Sequence, residues 1–408
     1  MKHSTNFIKP SLLSAALFAT TATCLTGPFA LADGVNSIAD AFTQGESSLN
    51  LRYRYEFVDQ SNSLKDANVS TLKTRLNFKT KSFKGFSLFV EADHVSEILS
   101  GEYNDGTAVT GNTNYSVVVD PTGTDLNQSW VQYKTDDNQF RFGRQRILLD
   151  NQRFVGGVGW RQNEQTYDSF VASNSSIKDV TATFAYIWNV NRIFGTNSPK
   201  SDIEGDTYIF NVAYTGLPFG KLSAYSYLLD AEKTPEINTK TTGIRLAGSK
   251  LGSSKNMSYE IEYATQSDYD SRVSNLSADY FHVNGNIAVN GFTFGLGYEV
   301  LTGDATNPGQ AFTTPLATLH KFNGWADQFL GTPSDGLEDV YVSASTKLSN
   351  YKLTAIYHDF SAENSNNDYG SEFDAVIARQ FGKNYTLLVK YAAYSAGDIK
   401  VDTNKLWV

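Results

Sequence analysis

Residues 49–57 read LNLRYRYEF, in which every second side chain is apolar or aromatic. Successive side chains of a β-strand point to opposite faces, so this strand has one apolar face and one charged face. The same alternation recurs at residues 72–79 and 86–93. A soluble β-sandwich or β-helix is the competing interpretation, but the second face holds several charges per strand, too many for a dry core. The stretch therefore predicts a strand with lipid on one side and a polar lumen on the other.

The alternation of apolar and polar side chains continues to the C-terminus. Long and short connections between the strands follow one another in turn. Asn290-Gly291 and Ser349-Asn350 each join two alternating runs, which is the local pattern of a β-hairpin. Longer connections fall near 96–124, 148–165 and 194–206. We therefore predict an all-β fold: a transmembrane antiparallel β-barrel of about 18 strands, with long extracellular loops and short periplasmic turns.

The N-terminus has the features of a secretory signal. Lys2 and Lys9 precede an apolar stretch, and Ala30-Leu31-Ala32 matches a cleavage motif. A lipoprotein signal that ends at Cys24, the single cysteine, is the alternative. We predict a signal peptide at 1–32, a periplasmic N-terminal segment at 33–47 and a barrel at 48–408, located in the outer membrane of a Gram-negative bacterium.

The last strand is unusual because it is short. It begins near Asn404 and the sequence stops at Val408, whereas a spanning strand needs roughly 9–11 residues. We expect either a truncated last strand or a short one with Trp407 as its anchor.

The mature chain is acidic. Without the two lysines of the signal, 32 of the 34 basic residues remain against 43 acidic residues, a balance of −11. This balance argues against nucleic acid as a partner. We expect outer-membrane lipid around the barrel and no cofactor. The acidic run at 363–368 is a candidate calcium site, but such loops are usually only solvated, so we predict no metal.

Catalysis has little support in the sequence. The mature chain has four histidines, and His358 is followed by Asp359, but no serine with the flanking glycines of a lipase motif is present. An outer-membrane lipase or protease is therefore the weakest hypothesis, and we predict that the protein is not an enzyme.

Arginine is concentrated in the first part of the chain. Eight of the twelve arginines lie between residues 52 and 161, and five of them lie within 140–170. Arginine binds planar carboxylates through paired hydrogen bonds. Later strands place acids such as Glu260, Glu262 and Glu299 on the polar face, so we expect a lumen with one basic and one more acidic side. The alternative role for any one of these arginines is a hydrogen-bonded ladder that stiffens the wall. The predicted pore-lining and anion-binding residues are Arg52, Arg54, Lys73, Arg75, Arg141, Arg144, Arg146, Arg153 and Arg161.

The alternation of side chains along one strand conflicts with the assignment of Arg144 and Arg146 to the pore lining. Arg144 and Arg146 share parity with Phe140 and Phe142, which would point both arginines at lipid, at a cost of about 2–4 kcal/mol near mid-bilayer. A β-bulge at Gly143 would reverse the faces, and a position at the extracellular rim would lower the cost. We favour the bulge, because Gly143 lies where the alternation breaks.

The glycine-rich segment 155–160 does not match the dinucleotide motif G-x-G-x-x-G, and no helix follows it. We expect it to fold into the lumen and narrow it. The constriction candidates are Arg153, Arg161, Gln162, Asn163 and Glu164.

The runs 142–146, 150–154 and 160–165, which read FGRQR, DNQRF and WRQNEQ, together resemble the alginate export porin family. The resemblance implies an outer-membrane barrel with an arginine-rich conduit for an anionic polyuronate. It also implies an anionic oligo- or polysaccharide and periplasmic export components as partners. The chain departs from the family in being shorter than its exporters and in having few arginines in its later strands. The leading hypothesis is a channel for an alginate-like saccharide; the alternative is a general or differently selective porin for nutrient uptake.

Overall fold

The computed structural model of the chain describes residues 34–109, 112–249, 256–272, 275–307 and 309–408. The predicted signal peptide and its alternative end at Cys24 lie outside these ranges. Within them, no helix is long and apolar enough to cross a membrane.

Strands dominate the described residues, with one α-helix and one short 3-10 helix. Their bounds are α1 Ile38–Thr43, β1 Glu46–Gln60, β2 Ala67–Lys79, β3 Phe86–Glu102, β4 Gly123–Lys134, β5 Asn138–Gln145, β6 Thr166–Asn174, β7 Val180–Asn191, β8 Asp202–Leu217, β9 Gly220–Leu229, the 3-10 helix Pro235–Ile237, β10 Thr239–Gly248, β11 Met257–Asp268, β12 Ser277–Val289, β13 Phe292–Leu301, β14 Leu337–Leu348, β15 Tyr351–Ser361, β16 Asp368–Phe381, β17 Tyr385–Ala396 and β18 Thr403–Trp407.

These 18 strands form a single sheet in which each strand pairs antiparallel with its neighbours in sequence. β1 also pairs with β18, so the sheet closes on itself and leaves no free edge. The predicted fold, a closed antiparallel outer-membrane barrel, is confirmed.

The alternation in the sequence decides which side chains meet the lumen. On β1, Leu49 and Leu51 are 63% and 60% exposed on the outer face, whereas Arg54 and Glu56 are 5% and 0% exposed inside. Cross-strand partners share a face, and the register of β1 with β2 places Arg52 opposite Lys73. The outer apolar side chains form the surface that lipid covers.

The two ends of the barrel differ in their connections. Asn290 and Gly291 join β12 to β13 with positive φ values of 51° and 83°, the conformation that a tight two-residue hairpin needs. α1 lies at this short-turn end, where the N–H of Lys81 donates to the carbonyl of Ala41 (3.0 Å). In outer-membrane barrels short turns face the periplasm, so the long-loop end of this barrel is extracellular.

Two strand bounds differ from the predictions, whereas the short last strand is one of the two expected alternatives. β1 begins at Glu46 rather than at Ser48, and β3 extends to Glu102, into the loop that was placed at 96–124. β18 is short but pairs with both β17 and β1. Trp407 is 1% exposed and stacks edge-on against Trp160 inside the barrel, so it does not anchor the strand at the membrane surface.

Candidate functional site

Two long loops fold into the lumen and contact each other there. Loop A is residues 146–165, between β5 and β6, and loop B is residues 302–307 and 309–336, between β13 and β14. The N–H of Gly156 donates to the carbonyl of Leu316 (2.8 Å), and the N–H of Thr318 donates to the carbonyl of Gln152 (3.0 Å). The prediction that the glycine-rich loop folds inward is confirmed, and the two loops form one unit.

An apolar core holds this unit against one side of the barrel. Phe154 of loop A lies edge-on to the wall residue Tyr280, with ring centroids 5.2 Å apart, and it also packs on Phe312 of loop B. Within the described ranges, the wall residues of this core come from strands between β6 and β18, and β1–β5 contribute none. The polar tip of loop A, residues 159–164, therefore faces the β1–β5 wall.

Arg52 and Arg54 on β1 hold the tip of loop A. The Nε of Arg52 donates to Oε1 of Gln162 (2.9 Å), and its other nitrogens donate to backbone carbonyls of the loop. Arg54 pairs with Asp120 (3.1 Å) and donates to the carbonyl of Trp160. Among the described residues no carboxylate forms an ion pair with Arg52, although Asp120 and Glu164 lie near enough to act on its charge.

The carboxylate of Glu164, at the end of loop A, lies close to three cations. It lies 2.5 Å from Arg146, 2.9 Å from Arg75 and 4.0 Å from Lys73. Arg75 also pairs with Asp93 through two hydrogen bonds of 2.7 and 2.6 Å. Burial alone raises a carboxyl pKa, but these cations, Arg146 foremost, hold the pKa of Glu164 well below its usual range.

The cations of this cluster are more exposed than their acids. The side chains of Arg146 and Arg75 are 25% and 13% exposed, whereas those of Glu91 and Glu164, which they contact, are 4% and 6% exposed. The carboxylates are therefore less accessible than the guanidinium groups that they bind.

Arg144 does not reach the lumen, contrary to the prediction. The pairing of β5 with β4 and β6 runs through Gly143 without a shift of register, so the predicted bulge is wrong and Arg144 stays on the outer face with Phe142. Irregularities lie instead in the neighbouring pairings, between β3 and β4 at Asn127 and between β6 and β7 at Asp168 and Ser169. Arg144 binds Asp168 through Nε and Nη2 (2.7 and 3.0 Å), one residue before the long-loop end of β5. This is the rim position that the sequence left as the second explanation.

Gly143 is needed for a different reason. Its φ is 117°, and a Cβ there would lie 2.3 Å from the carbonyl oxygen of Ser129. Only glycine fits this close approach of two strands. Arg146 nevertheless reaches the lumen, because it follows Gln145, the last residue of β5, where the chain turns inward.

Arg141 lies on the inner face of β5, nearer the short-turn end. Its guanidinium carbon is 4.2 Å from the ring centroid of Trp130, and its Nη2 donates to Oε1 of Gln132 (2.8 Å). No carboxylate pairs with it in the part of the chain that the structure describes. Arg141 and Arg52 are thus the two predicted lumen arginines without an ion pair among the described residues, and Arg141 is the one on which no carboxylate acts.

Arg153 and Arg161 lie inside the barrel but are buried within the loop unit. Arg153 is 2.9 Å from Glu299 on β13, and Arg161 is 2.8 Å from Glu56 on β1. Burial lowers a guanidinium pKa, but the adjacent carboxylates raise the pKa of both arginines above its ordinary value. Both residues anchor loop A rather than line an opening.

Sequence reasoning missed loop B and its partners. His320 and Asp327 of this loop contact Lys390 on β17 and Lys405 on β18. The length of the connection was the available signal, since loops longer than about 12–15 residues are usually functional.

The histidines belong to the wall and loop contacts. His358 bonds through Nδ1 to Asp339 on the neighbouring strand (2.8 Å), not to Asp359, which follows it in sequence. Within the described ranges, no group of three or more His, Cys, Asp or Glu residues is placed to hold a metal ion.

Comparison with known proteins places these features in context. The sequence model of the alginate export family matches residues 44–308. OccAB2 of Acinetobacter baumannii has a solved structure that is similar at 18% identity and a TM-score of 0.68, with 90% of this chain and 98% of that chain covered. OpdK of Pseudomonas aeruginosa, solved with vanillate, is similar at 11% identity and a TM-score of 0.69, with coverage of 90% and 97%. No curated protein sequence matches the chain. At these identities the two structures show the shared fold, that of outer-membrane porins.

Proposed function

Because the chain belongs to the alginate export family and forms an outer-membrane β-barrel channel, we propose that its solute is an anionic saccharide, an alginate-like polyuronate. The solute would pass along the exposed part of Arg146 and Arg75, beside the contact of loop A with the β1–β5 wall. Family and fold are those of transport porins, and we assign no catalytic role. Periplasmic export components as partners, and the direction of transport, stay predictions.

Around Glu164 the arginines are more exposed than the acids that they bind, and this arrangement supports an anionic solute. Arg146 and Arg75 are the exposed members of their ion pairs, and the acids that fix them are buried. A guanidinium held in one orientation presents its remaining N–H groups to a passing carboxylate and loses little side-chain entropy on binding it. Arg141, which has no counter-charge, adds a further positive charge on the way to the short-turn end.

Two neighbouring arginines give a matched test in planar bilayers. Arg146 is inside and Arg144 is outside the wall of the same strand end, so Arg146→Ala and Arg144→Ala remove the same charge from opposite faces. We expect the wild-type channel to prefer anions and to be blocked by oligouronates. Loss of a charged hydrogen bond is worth roughly 1.5–3 kcal/mol, so Arg146→Ala should raise the half-blocking concentration about tenfold. Arg144→Ala should leave both properties unchanged.

Cation selectivity without oligouronate block in the wild type would overturn the proposal. Equal effects of the two variants on anion preference and block would show that the β1–β5 wall takes no part in the proposed function.

A second candidate is a porin for small organic anions taken up as nutrients. The backbone hydrogen bonds that interlock loops A and B favour a small solute over a polymer. OpdK, which shares the fold, was solved with vanillate, an aromatic carboxylate. Liposome flux assays with vanillate, a uronate monomer and an oligouronate separate the two candidates. Fast passage of the monomers with no block by the oligomer would favour the second.

A further inference from the structure

The carboxylate of Asp327 on loop B lies in a pocket formed by one histidine and two cations, of which Arg161 also pairs with Glu56 (2.8 Å). Lys405 Nζ on β18 is 2.8 Å away, Arg161 Nη2 on loop A is 3.3 Å away, and His320 Nδ1 on loop B is 2.6 Å away. The four side chains are at most 8% exposed. Burial alone raises a carboxyl pKa, but His320, Lys405 and Arg161 hold the pKa of Asp327 well below its usual range.

A third basic residue, Lys390, contacts Asp327 through the histidine. Lys390 Nζ lies 2.6 Å from Nε2 of His320, and an ammonium group only donates hydrogen bonds. Nε2 must therefore accept, so Nδ1 carries the ring proton and donates it to Asp327. The rings of Trp160 and Trp325 lie 4.3 and 3.7 Å from the same ammonium group, which fixes its position.

The backbone around Asp327 is strained. Leu319, Asn323 and Asp327 adopt positive φ values of 56°, 55° and 61°, a region that a residue with a Cβ seldom occupies unless its surroundings hold it there. β16 holds the chain just before Asp327, since Glu372 accepts the N–H of Ala326 (2.7 Å). Release of the carboxylate would thus affect Asp327 and the residues after it.

We propose that this pocket is a carboxylate-binding subsite of the channel, and that Asp327 occupies it as an internal mimic of a uronate carboxylate. Loop B is then an autoinhibitory strap. A solute carboxylate that binds Arg161 and Lys405 displaces Asp327 and loosens the contact of loop B with loop A and β18. The inference rests on the proposed function, because the displacing group is the carboxylate of the anionic solute.

The test is Asp327→Asn, which keeps the size of the side chain and removes the competing charge. Oligouronate should block this variant at about one-tenth of the wild-type half-blocking concentration, because the subsite no longer has to exchange one charged hydrogen bond for another. Asp335→Asn is the matched control, since that aspartate lies on the same loop but bonds to Ser365 and Asn367. The control should block as the wild type does. An unchanged or higher half-blocking concentration for Asp327→Asn overturns the inference.

Lys405→Met keeps the test decisive if Asp327→Asn does not refold. Asp327 retains Arg161 and His320 in this variant, so the loops remain attached. The half-blocking concentration should rise about tenfold, and an unchanged value overturns the subsite. If the wild type itself shows neither anion preference nor block, the proposed function and this inference fail together. If the wild type is blocked and the variants do not shift, only the inference fails.

Discussion

Replacing Glu164 by Gln removes one buried charge from the cluster that faces the β1–β5 wall. Removing one partner of a buried ion pair costs roughly 3–5 kcal/mol, because the other charge is left uncompensated. Here Arg146 keeps Glu91 at 2.7 Å and Arg75 keeps Asp93 at 2.6 Å, while Lys73 loses its carboxylate neighbour at 4.0 Å. We therefore expect the free energy of unfolding to fall by about 3 kcal/mol at neutral pH, the lower end of that range.

The pH dependence of this loss has a defined sign. The folded-state pKa of Glu164 lies below the ordinary unfolded value of about 4.3, so its ionised form contributes stability at every pH above that value. The contribution is lost as the pH falls through the depressed folded-state pKa. The difference between wild type and Glu164→Gln should be full at pH 7 and should narrow below about pH 4.

The measurement is a denaturant titration of the refolded barrel in detergent at pH 7 and pH 3, followed by tryptophan fluorescence. In planar bilayers the same variant should shift the reversal potential further toward the anion, since the wall gains one uncompensated positive charge. Unchanged stability at pH 7, or a shift toward cations, would refute the account of Glu164 as the acid that neutralises the basic wall.

Two further predictions concern packing. Gly143→Ala should destabilise the barrel by roughly 1–3 kcal/mol or more, because residue 143 has a φ of 117° and a Cβ there would lie 2.3 Å from the carbonyl oxygen of Ser129. The control is Gly285→Ala, whose Cβ would meet nothing within 4 Å. Its denaturation midpoint should differ little from that of the wild type. Phe154→Ala should lower the free energy of unfolding by roughly 3–5 kcal/mol, because Phe154 is buried against Tyr280. Single-channel recordings of this variant should show larger current fluctuations as loop A loosens. Quiet, wild-type-like currents would count against an apolar anchor for the loops.

The faces of the strands could be predicted because the alternation of side chains is local. The apolar and charged residues of β1 occupy the faces that the sequence assigned to them, and the hairpin turn at 290–291 lies where it was expected. The bulge at Gly143 could not be judged in this way. Whether a glycine marks a bulge or a close approach depends on the neighbouring strand, here on the position of Ser129.

The partners of the charged residues were harder to predict than their faces. The alternation of side chains places Arg54 and Arg75 inside, and Arg146 lies inside because β5 ends before it. Their acids come from distant segments: Asp120 from the β3–β4 connection, Asp93 from β3 and Glu164 from loop A. These acids decide that most of the predicted lumen arginines form ion pairs and that, among the described residues, Arg52 and Arg141 do not.

By itself the sequence determined the strands and their lipid-facing and lumen-facing sides, because a period of two residues is a property of neighbouring positions in the chain. Only the tertiary structure decided that loop B enters the lumen, that Gly156 bonds to Leu316, and that Asp327 lies among Arg161 and Lys405. Those contacts join segments that are far apart in sequence. They form only when the last strand pairs with the first and the closed wall brings both loops into one enclosed space.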